Sequence, residues 1–303
     1  MPSRAQSFVA TLIAPDGAAE LPRAIAALAA VLPDVGAADW LEPGRAVDLP
    51  FASEAERLPE IRARVADRCL ELGSVDAVVQ AAEGRRKKLL LADMDSTMIG
   101  QECIDELADF AGMKPQVAGI TERAMRGELA FEPALRERVA LLAGVPLAVV
   151  DEVIATRLTL TPGGSTLVRT MRAHGAYTCL VSGGFTLFTG PMASRIGFDE
   201  NRGNTLLAEA GRLLGRVAEP ILGQAAKLAT LRELRERFGL APAETLAIGD
   251  GANDLAMIEE AGLGVAYRAK PTVAAAAAAR IDTTDLTSLL YAQGYRRSSF
   301  VKA

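Results

Sequence analysis

The N-terminal part of the chain alternates between the hydrophobic patterns of strands and helices. Some segments are filled with strand-forming residues, while in others apolar residues recur at the spacing of one helix face. In chain order the segments are 7–13 (strand), 21–32 (helix), 36–41 and 46–51 (strands), 59–72 (helix) and 75–81 (strand). The order βαββαβ predicts a small α+β domain over residues 1–84, made of one sheet and two helices.

After residue 84 the pattern changes to buried strands that are separated by helices. Leu89–Ala92 is apolar throughout, which is typical of a strand covered on both faces in a parallel sheet. Further strands are predicted at 177–181, 245–248 and 262–267, a hairpin at 204–217 with Gly211 near its turn, and a largely helical stretch at 100–160. This alternation predicts an α/β fold with a doubly wound parallel sheet as its core.

Two segments of biased composition are interpreted without a binding or catalytic function. The alanine run 274–279 is predicted to be helical, because alanine has the highest helix propensity. The charged run Gly84–Lys88 is interpreted as a solvated linker, because it is short for a nucleic-acid-binding patch.

Composition and charge narrow the class of protein. Half of the residues are apolar and 23% are charged, as in a soluble globular protein. The 303 residues correspond to two or three domains of about 100–200 residues each. With a net charge of −5, the chain lacks the basic footprint of a nucleic-acid-binding protein, so no nucleic-acid partner is expected.

The chain also lacks the patterns of a membrane or secreted protein. No apolar run reaches the roughly 18 residues that a membrane span needs, so no membrane partner is expected. The short apolar run near the N-terminus is cut off at Pro15 and does not resemble a signal peptide. Cys69, Cys103 and Cys179 are too few and too scattered for a disulfide framework or a zinc site. Reduced thiols in a cytoplasmic protein are the simplest interpretation.

Polar clusters follow several of the predicted parallel strands. They are Asp93 with Asp95, Ser182 with Gly183, and Asp250 with Asn253 and Asp254; Lys227 lies near the start of a predicted helix. In an open α/β sheet, ligands bind at the carboxyl ends of the strands. Taken singly, each cluster is better explained as a helix cap, a turn or a solvated helix residue. Together they favour a functional site.

Phosphoryl transfer is the chemistry that these residue types support. Side chains two positions apart in an extended chain project to the same side, so Asp93 could attack while Asp95 handles a proton. A carboxylate nucleophile is repelled by phosphate and needs positive charge already in place. Asp93 and Asp250 offer the hard oxygen ligands that Mg²⁺ prefers, and Lys227 offers a second positive charge.

The Ser182–Gly183 pair completes this interpretation. The hydroxyl and the backbone N–H can hold phosphate oxygens, and glycine allows their close approach. Other templates fit poorly: there is no phosphate-binding G-x-x-x-x-G-K-[ST] loop and no H-E-x-x-H, and Leu180 replaces the first glycine of a G-x-S-x-G elbow. The only histidine, His174, is interpreted as a surface or helix-end residue, which leaves acid–base chemistry to carboxylates.

These motifs resemble those of the haloacid dehalogenase superfamily and, within it, the phosphoserine phosphatases. The resemblance covers roughly residues 88–295. It is carried by Asp-Met-Asp-Ser-Thr at 93–97, Val-Ser-Gly-Gly-Phe at 181–185, Lys227, and Gly-Asp-Gly-Ala-Asn-Asp at 249–254. It implies hydrolysis of phosphoserine through an aspartyl-phosphate, the last step of serine biosynthesis. It also implies a core made of 85–98 and 163–303, with 99–162 inserted as a helical cap.

The resemblance also implies roles for individual residues. Asp93 would be the nucleophile and Asp95 the acid and then the base. Mg²⁺ would be held by Asp93, Asp250 and the backbone carbonyl of Asp95. Asn253 is expected among the substrate-binding residues and Asp254 beside the metal ligands. Both would support the metal site and Lys227.

Cap residues narrow the implied substrate. The segments 99–102 and 135–139 resemble those that contact the amino acid in phosphoserine phosphatases. By that match Glu102 would meet the substrate ammonium and Arg138 its carboxylate, while Met125 and Phe131 would shield the site. An anion and a planar cation suit a zwitterion. Without the resemblance, these residues would be interpreted as ordinary helix-surface charges and cap core.

The N-terminal βαββαβ segment resembles an ACT-type small-molecule-binding domain, on pattern more than on motif. Three functions are open for it: amino-acid sensing, dimerisation into a homodimer, or neither. For the whole chain, two alternatives compete with a phosphoserine phosphatase. One is a phosphatase or phosphotransferase for another small phosphate ester, such as phosphohomoserine or phosphoglycolate. The other is a catalytically silent amino-acid-binding regulator, against which the intact set Asp93, Asp95, Lys227 and Asp250 argues.

Overall fold

A four-stranded antiparallel sheet with two helices forms the N-terminal part of the chain. The computed structural model describes residues 6–15, 21–126 and 128–302, apart from the side chain of Met125. The elements are β1 (Gln6–Ile13), α1 (Leu21–Ala29), β2 (Asp39–Glu42), β3 (Ala46–Ser53), α2 (Leu58–Leu72) and β4 (Asp76–Ala81). The sheet order is β2-β3-β1-β4. The predicted order βαββαβ is therefore confirmed.

The two faces of this sheet have different partners. Alternate residues of β1, such as Phe8 and Leu12, pack in one core with Leu28 of α1 and Ile61 of α2. The opposite face carries Ile13, which packs in a separate cluster with Tyr291 near the C-terminus. The sheet thus joins its own helices on one side and the remainder of the chain on the other.

A six-stranded parallel sheet forms the core of the remaining chain. Its strands are β5 (Leu89–Ala92), β6 (Tyr177–Phe185), β7 (Glu200–Asn204), β10 (Thr245–Gly249), β11 (Leu263–Tyr267) and β12 (Ala279–Ile281), with β8 (Leu206–Glu209) and β9 (Arg212–Val217) in a separate hairpin. The helices are α3 (Cys103–Phe110), α4 (Lys114–Met125), α5 (Phe131–Ala140), α6 (Ala148–Thr156), α7 (Gly164–Ala173), α8 (Thr186–Ile196), α9 (Gln224–Arg237), α10 (Leu255–Glu260), α11 (Pro271–Ala276) and α12 (Ser288–Ala292).

The strand order creates a switch point beside the central strand. The order is β12-β11-β10-β5-β6-β7, and all neighbours are parallel. The chain moves from β5 outward to β6 and β7, then returns to β10 on the other side of β5. As predicted, β5 is buried on both faces: Leu90 and Ala92 face one core and Leu89 and Leu91 the other. The α/β, doubly wound fold class is confirmed.

Four helices, α3–α6, lie between β5 and the next core helix, α7. The predicted hairpin forms as β8 and β9, with Gly211 at φ 76° in its turn. It packs against the helical segment, where the Gly144 N–H donates to the Leu213 carbonyl at 2.8 Å. The prediction of a largely helical stretch at 100–160 is confirmed.

Two local predictions are wrong in part. The alanine-run helix ends at Ala276, and Ala279–Ile281 instead forms the edge strand β12. Parallel pairing with β11 outweighs the helix propensity of alanine at that point. Strand β6 also continues through Ser182–Gly184 to Phe185, with an irregular register against β7 after Val181.

The charged run at 84–88 is solvated only in part: Gly84, Arg86 and Lys88 are exposed, whereas Arg85 and Lys87 contact other segments. Arg85 forms an ion pair with the buried Asp48 at 2.6 Å, and Arg86 lies over the ring of Tyr295. Lys87 is only 6% exposed, and its ammonium donates to a backbone carbonyl. The run connects the two sheets, so some of its side chains pack against the fold while others stay in solvent.

In the part of the chain that the structure describes, no helix is long and apolar enough to cross a membrane. The same part contains no disulfide: Cys69, Cys103 and Cys179 are free thiols.

Candidate active site

The predicted polar clusters meet at the switch point of the parallel sheet. Asp93 follows the end of β5, and Asp250 follows the end of the neighbouring strand β10. The carboxyl ends of parallel strands share one edge, which is where open α/β sheets bind ligands. The backbone N–H of Asp93 donates to the Ile248 carbonyl at 3.0 Å, which ties the two strand ends together.

A buried ammonium lies between two carboxylates at this edge. The Lys227 Nζ donates to Asp93 Oδ1 and to Asp254 Oδ1, each at 2.6 Å. The Lys227 and Asp254 side chains are fully buried, and Asp93 is 4% exposed. Burial lowers the pKa of Lys227, but the two carboxylates outweigh it and raise that pKa, so the lysine remains charged.

Negative charge is in excess around Asp93. Burial, followed by the Asp254 carboxylate, raises the pKa of Asp93, while the Lys227 ammonium acts in the opposite direction. No described residue donates a hydrogen bond to Asp93 Oδ2, so this oxygen can react.

The turn after Asp93 aims the second carboxylate at the site. Asp95 is extended at φ −66°, ψ 135°, and Ser96 adopts the left-handed conformation at φ 56°. The Ser96 hydroxyl donates to Glu102 Oε1 at 2.7 Å, which helps hold this uncommon backbone. The Asp95 side chain therefore lies at the same edge as Asp93.

Asp95 is suited to exchange protons near neutral pH. Burial, followed by the nearby Glu102 carboxylate, raises the pKa of Asp95 to about 7. Its Oδ1 atom is buried and has no hydrogen-bond partner among the described residues. A catalytic acid or base works best when its pKa lies near the working pH.

Three carboxylates could hold a cation. Oxygen atoms of Asp93, Asp250 and Asp254 all lie within 4.8 Å of one another. Burial raises the pKa of Asp250 to about 6, and Thr97 Oγ1 donates to its Oδ1 at 3.3 Å. With one ammonium against three carboxylates, the cluster has an excess of negative charge that a divalent cation would offset. Carboxylate oxygens are the ligands that Mg²⁺ prefers, so the residues present fit this ion.

Asp254 belongs to this carboxylate cluster and also forms an ion pair with Lys227. Its second oxygen accepts a hydrogen bond from the Gly251 N–H at 3.1 Å. A Cβ at Gly249 would lie 2.4 Å from the Asp254 carboxyl carbon, so only glycine fits there. The absence of a side chain at Gly249 leaves the space that the Asp254 carboxylate occupies.

Ser182 and Gly183 lie on the neighbouring strand, β6. The Ser182 hydroxyl oxygen accepts a hydrogen bond from the Gly184 N–H at 2.8 Å, and the side chain is 1% exposed. A Cβ at Gly183 would lie 3.2 Å from the Phe131 ring, so glycine permits the close approach of this residue of α5. Gly183 thus borders both the sheet edge and the helical segment.

A single cavity of about 650 Å³ brings most of the predicted residues together. The predicted residues that line it are Asp93, Asp95, Glu102, Phe131, Arg138, Ser182, Gly183, Asp250 and Asn253. Lys227 and Asp254 do not line the cavity; Lys227 is buried between Asp93 and Asp254 and bonds to both. The side chain of Met125 lies outside the described residues, so its predicted shielding role is not addressed.

The cavity has an unpaired cation at its helical side. Arg138 on α5 donates from Nε to the Ala134 carbonyl at 3.3 Å, and no described carboxylate forms an ion pair with it. Burial lowers the pKa of Arg138, while Asp105 and Glu102 act in the opposite direction. The terminal guanidinium nitrogens are therefore available to a ligand anion, and Glu102 offers the matching negative charge.

Other lining residues were missed by the sequence interpretation. Asp105 on α3 lines the cavity, and its carboxylate acts to raise the pKa of Arg138. Lys270 also lines it, and its backbone N–H donates to the Asp250 carbonyl at 3.1 Å. Lys270 could have been found from its position after strand β11, since it follows the carboxyl end of a parallel strand. Asp105 carried no such signal within a helix.

Comparisons with known proteins agree with this geometry. Residues 90–259 match the family model for haloacid dehalogenase-like hydrolase. The chain is 47% identical to a phosphoserine phosphatase of Polaromonas over 67% of this chain and 88% of the relative. It is 44% identical to one of Streptomyces coelicolor over 82% of this chain, but spans only 60% of that relative. A crystal structure of a HAD family hydrolase from Salmonella enterica serovar Typhi has a TM-score of 0.84 at 30% identity, covering 94% of this chain and 97% of the other.

Proposed function

Because this chain belongs to the haloacid dehalogenase-like hydrolase family, we propose that it is a phosphoserine phosphatase, which hydrolyses phosphoserine to serine and phosphate. One observation supports this substrate above others. The cavity that contains the Asp93 nucleophile also contains Glu102 and the unpaired guanidinium of Arg138. An ester whose alcohol carries both an ammonium and a carboxylate could place its phosphate at Asp93, its ammonium at Glu102 and its carboxylate at Arg138.

In the first half-reaction, Asp93 Oδ2 attacks the phosphorus atom while Lys227 holds Oδ1. The new bond joins the carboxylate oxygen to phosphorus, and the bond between phosphorus and the serine oxygen breaks. Protonated Asp95 gives its proton to the departing serine oxygen. A pKa of Asp95 near 7 leaves a useful fraction of this group protonated at neutral pH.

In the second half-reaction, the Asp95 carboxylate takes a proton from water. The water oxygen bonds to phosphorus, and the bond between phosphorus and Asp93 breaks. Phosphate leaves, while Asp93 returns as a carboxylate and Asp95 is protonated again. The Ser182 hydroxyl and the Gly183 N–H hold the phosphate oxygens through both steps.

Asp93, Asp250 and the backbone carbonyl of Asp95 would hold Mg²⁺, with Asp254 close by. When bound, Mg²⁺ supplies positive charge that offsets the phosphate oxygens and the crowded carboxylates. Lys227 contributes the protein's own positive charge to the same region. Asn253 lines the cavity beside these residues, which supports a role in contacting the substrate.

The substrate assignment is tested by comparing hydrolysis of phosphoserine with that of other small phosphate esters. Phosphohomoserine, phosphoglycolate and p-nitrophenyl phosphate provide the panel. We expect the highest kcat/KM for phosphoserine, since its ammonium and carboxylate can pair with Glu102 and Arg138, which line the same cavity as Asp93. A higher value for phosphoglycolate would overturn the amino-acid assignment but leave the phosphatase assignment in place. No phosphate release from any ester would favour a silent regulator.

Arg138→Ala is expected to act on specificity more than on chemistry. A hydrogen bond to a charged group contributes roughly 1.5–3 kcal/mol, so kcat/KM for phosphoserine should fall about tenfold to a hundredfold. Phosphoethanolamine has the ammonium but no carboxylate, and its hydrolysis should change by less than about threefold. Arg136→Ala is the matched control, because Arg136 lies on the same helix but points to exposed Glu219 and Glu132. Equal losses on both esters would mean that Arg138 only supports the helices.

Activity is expected to depend on a divalent cation that Asp250 helps to bind. Chelation should abolish phosphate release, and Mg²⁺ should restore it. Asp250→Asn should raise the Mg²⁺ concentration for half-maximal activity by at least about tenfold, as is usual when metal-site residues are changed. Glu209→Gln removes an exposed carboxylate of the hairpin and should leave this concentration unchanged. Full activity after exhaustive chelation would contradict the proposal.

The division of the chain is part of the proposal. Residues 1–84 would form an ACT-like unit, 85–98 and 163–303 the phosphatase core, and 99–162 the cap. The separate hydrophobic core beneath the N-terminal sheet supports an independent unit there. Its function as an amino-acid sensor or in forming a homodimer, and the cytoplasmic location of the chain, remain predictions.

A further inference from the structure

A buried asparagine that the sequence interpretation did not single out lies next to the phosphate site. Asn204 is the last residue of β7 and is 3% exposed. Its Nδ2 donates to the Gly183 carbonyl at 2.8 Å and to the Leu222 carbonyl at 3.0 Å. Its Oδ1 accepts a hydrogen bond from the Leu222 N–H at 2.7 Å. One side-chain amide therefore connects two separate segments of the chain.

Both segments carry groups of the site. Gly183 belongs to the segment proposed to hold the phosphate oxygens. Leu222 directly precedes Gly223, the residue just before helix α9, and the Lys227 N–H donates to the Gly223 carbonyl at 3.2 Å. The Asn204 amide thus links the phosphate-holding backbone to the first turn of the helix that presents Lys227.

Phe131, a residue of the proposed cap, packs against both of these segments. A Cβ on Gly183 or on Gly223 would lie 3.2 Å from the ring of Phe131, so two glycines form a flat surface beneath one aromatic ring. Phe131 begins α5, the helix that carries Arg138. The spacing of the two glycines therefore decides where the cap helix meets the phosphate site.

We propose that Asn204 is a positioning residue. It holds Gly183 and Gly223 at the distance from each other that phosphate binding requires and that lets the Phe131 ring pack on both glycines. This inference rests on the proposed phosphatase function, because it assigns the Gly183 segment to the phosphate. Asn204 touches neither substrate nor reacting atoms. It acts through the Gly183 backbone, through helix α9 and through Phe131.

The isosteric change Asn204→Asp separates this function from simple filling of space. Aspartate keeps the shape but loses both N–H donors, and it places a carboxylate against two carbonyl oxygens. A shift of about 1 Å in a reacting geometry can cost on the order of a hundredfold in rate. We expect kcat/KM to fall about tenfold to a hundredfold and the inhibition constant of inorganic phosphate to rise by a similar factor.

Asn201→Asp is the matched control on the same strand. The Asn201 Oδ1 accepts a hydrogen bond from Thr189 Oγ1 at 2.8 Å, an acceptor that aspartate keeps. This variant should retain kcat/KM and phosphate inhibition within about twofold. Both enzymes are assayed with phosphoserine and with p-nitrophenyl phosphate, alongside melting curves.

Gly223→Ala tests the glycine surface without changing Asn204. Its backbone, at φ −119° and ψ −159°, is extended and accessible to alanine, but the added Cβ would press on Phe131. We expect a lower kcat/KM with a nearly unchanged melting temperature. If Asn204→Asp does not fold, this variant still tests whether the contact of Phe131 with the glycine surface affects kcat/KM.

The outcomes distinguish the two proposals. If the wild-type enzyme hydrolyses p-nitrophenyl phosphate but not phosphoserine, the substrate assignment fails, while the Asn204 comparison can still be made on the first ester. If Asn204→Asp lowers only the melting temperature and keeps kcat/KM and phosphate inhibition unchanged, Asn204 is structural and the inference is overturned. Normal kinetics in Gly223→Ala would overturn the part that concerns Phe131.

Discussion

Asp93→Asn should abolish turnover and leave the protein folded. The amide is a far weaker nucleophile than the carboxylate, so no aspartyl-phosphate can form and kcat should fall by on the order of 10⁴–10⁶-fold. Asparagine keeps the shape of the side chain, and its carbonyl oxygen can still accept the hydrogen bond from Lys227. Asp254 remains as the charged partner of Lys227, so the protein should stay folded.

Two measurements check this result. Phosphate release is followed with phosphoserine, and acid-quenched reactions with labelled phosphoserine are examined for label on the protein. The wild type should carry label and Asp93→Asn should not. Asp67→Asn, at an exposed position of α2, is the control and should behave as the wild type. Substantial turnover or labelling in a folded Asp93→Asn variant would show that another group attacks phosphorus.

Lys227→Met should both inactivate and destabilise the protein. Removing the ammonium leaves the carboxylates of Asp93 and Asp254 buried side by side without their common partner. Breaking a buried ion pair by removing one partner typically costs about 3–5 kcal/mol of the free energy of unfolding. Activity should be lost in the folded fraction as well, because the remaining negative charge repels the phosphate.

The matched control for this prediction is Lys88→Met. Lys88 also pairs with a carboxylate at 2.6 Å, but on an exposed surface, where its side chain is 63% accessible. Exposed pairs contribute about 0–1 kcal/mol, so this variant should unfold at nearly the wild-type denaturant concentration. Chemical denaturation of both variants measures the difference. Equal midpoints for Lys227→Met and the wild type would mean that the lysine is not the partner of two buried carboxylates.

Much of the candidate site could be predicted because its geometry follows from local rules. The apolar segment Leu89–Ala92 identifies a strand buried on both faces, and such strands are parallel with their carboxyl ends at one edge. Residues that follow those ends, such as Asp93 and Asp250, must then be neighbours. The motif resemblance added roles for these residues, and the cavity contains most of them.

Burial of charge could not be predicted in the same way. Lys227 in sequence resembles a solvated helix residue and Lys87 part of a solvated linker, yet both are buried. A polar side chain is buried only when partners from distant segments surround it, and no local pattern records those partners. The structure supplies Asp93 and Asp254 for Lys227, and the Ala243 carbonyl for Lys87.

The sequence by itself determined the element order of the N-terminal domain, four of the six strands of the parallel core sheet and the identity of the main catalytic candidates. These features depend on periodicity and on short motifs, which are local properties of the chain. Only the tertiary structure decided the hydrogen-bond partners of Asn204 and the end of the alanine-run helix at Ala276. Asn204 acquires its partners from two segments that meet only in the folded chain, and β12 forms because an open strand edge is available beside it. Such pairings depend on long-range contacts, which outweigh local propensity where the two disagree.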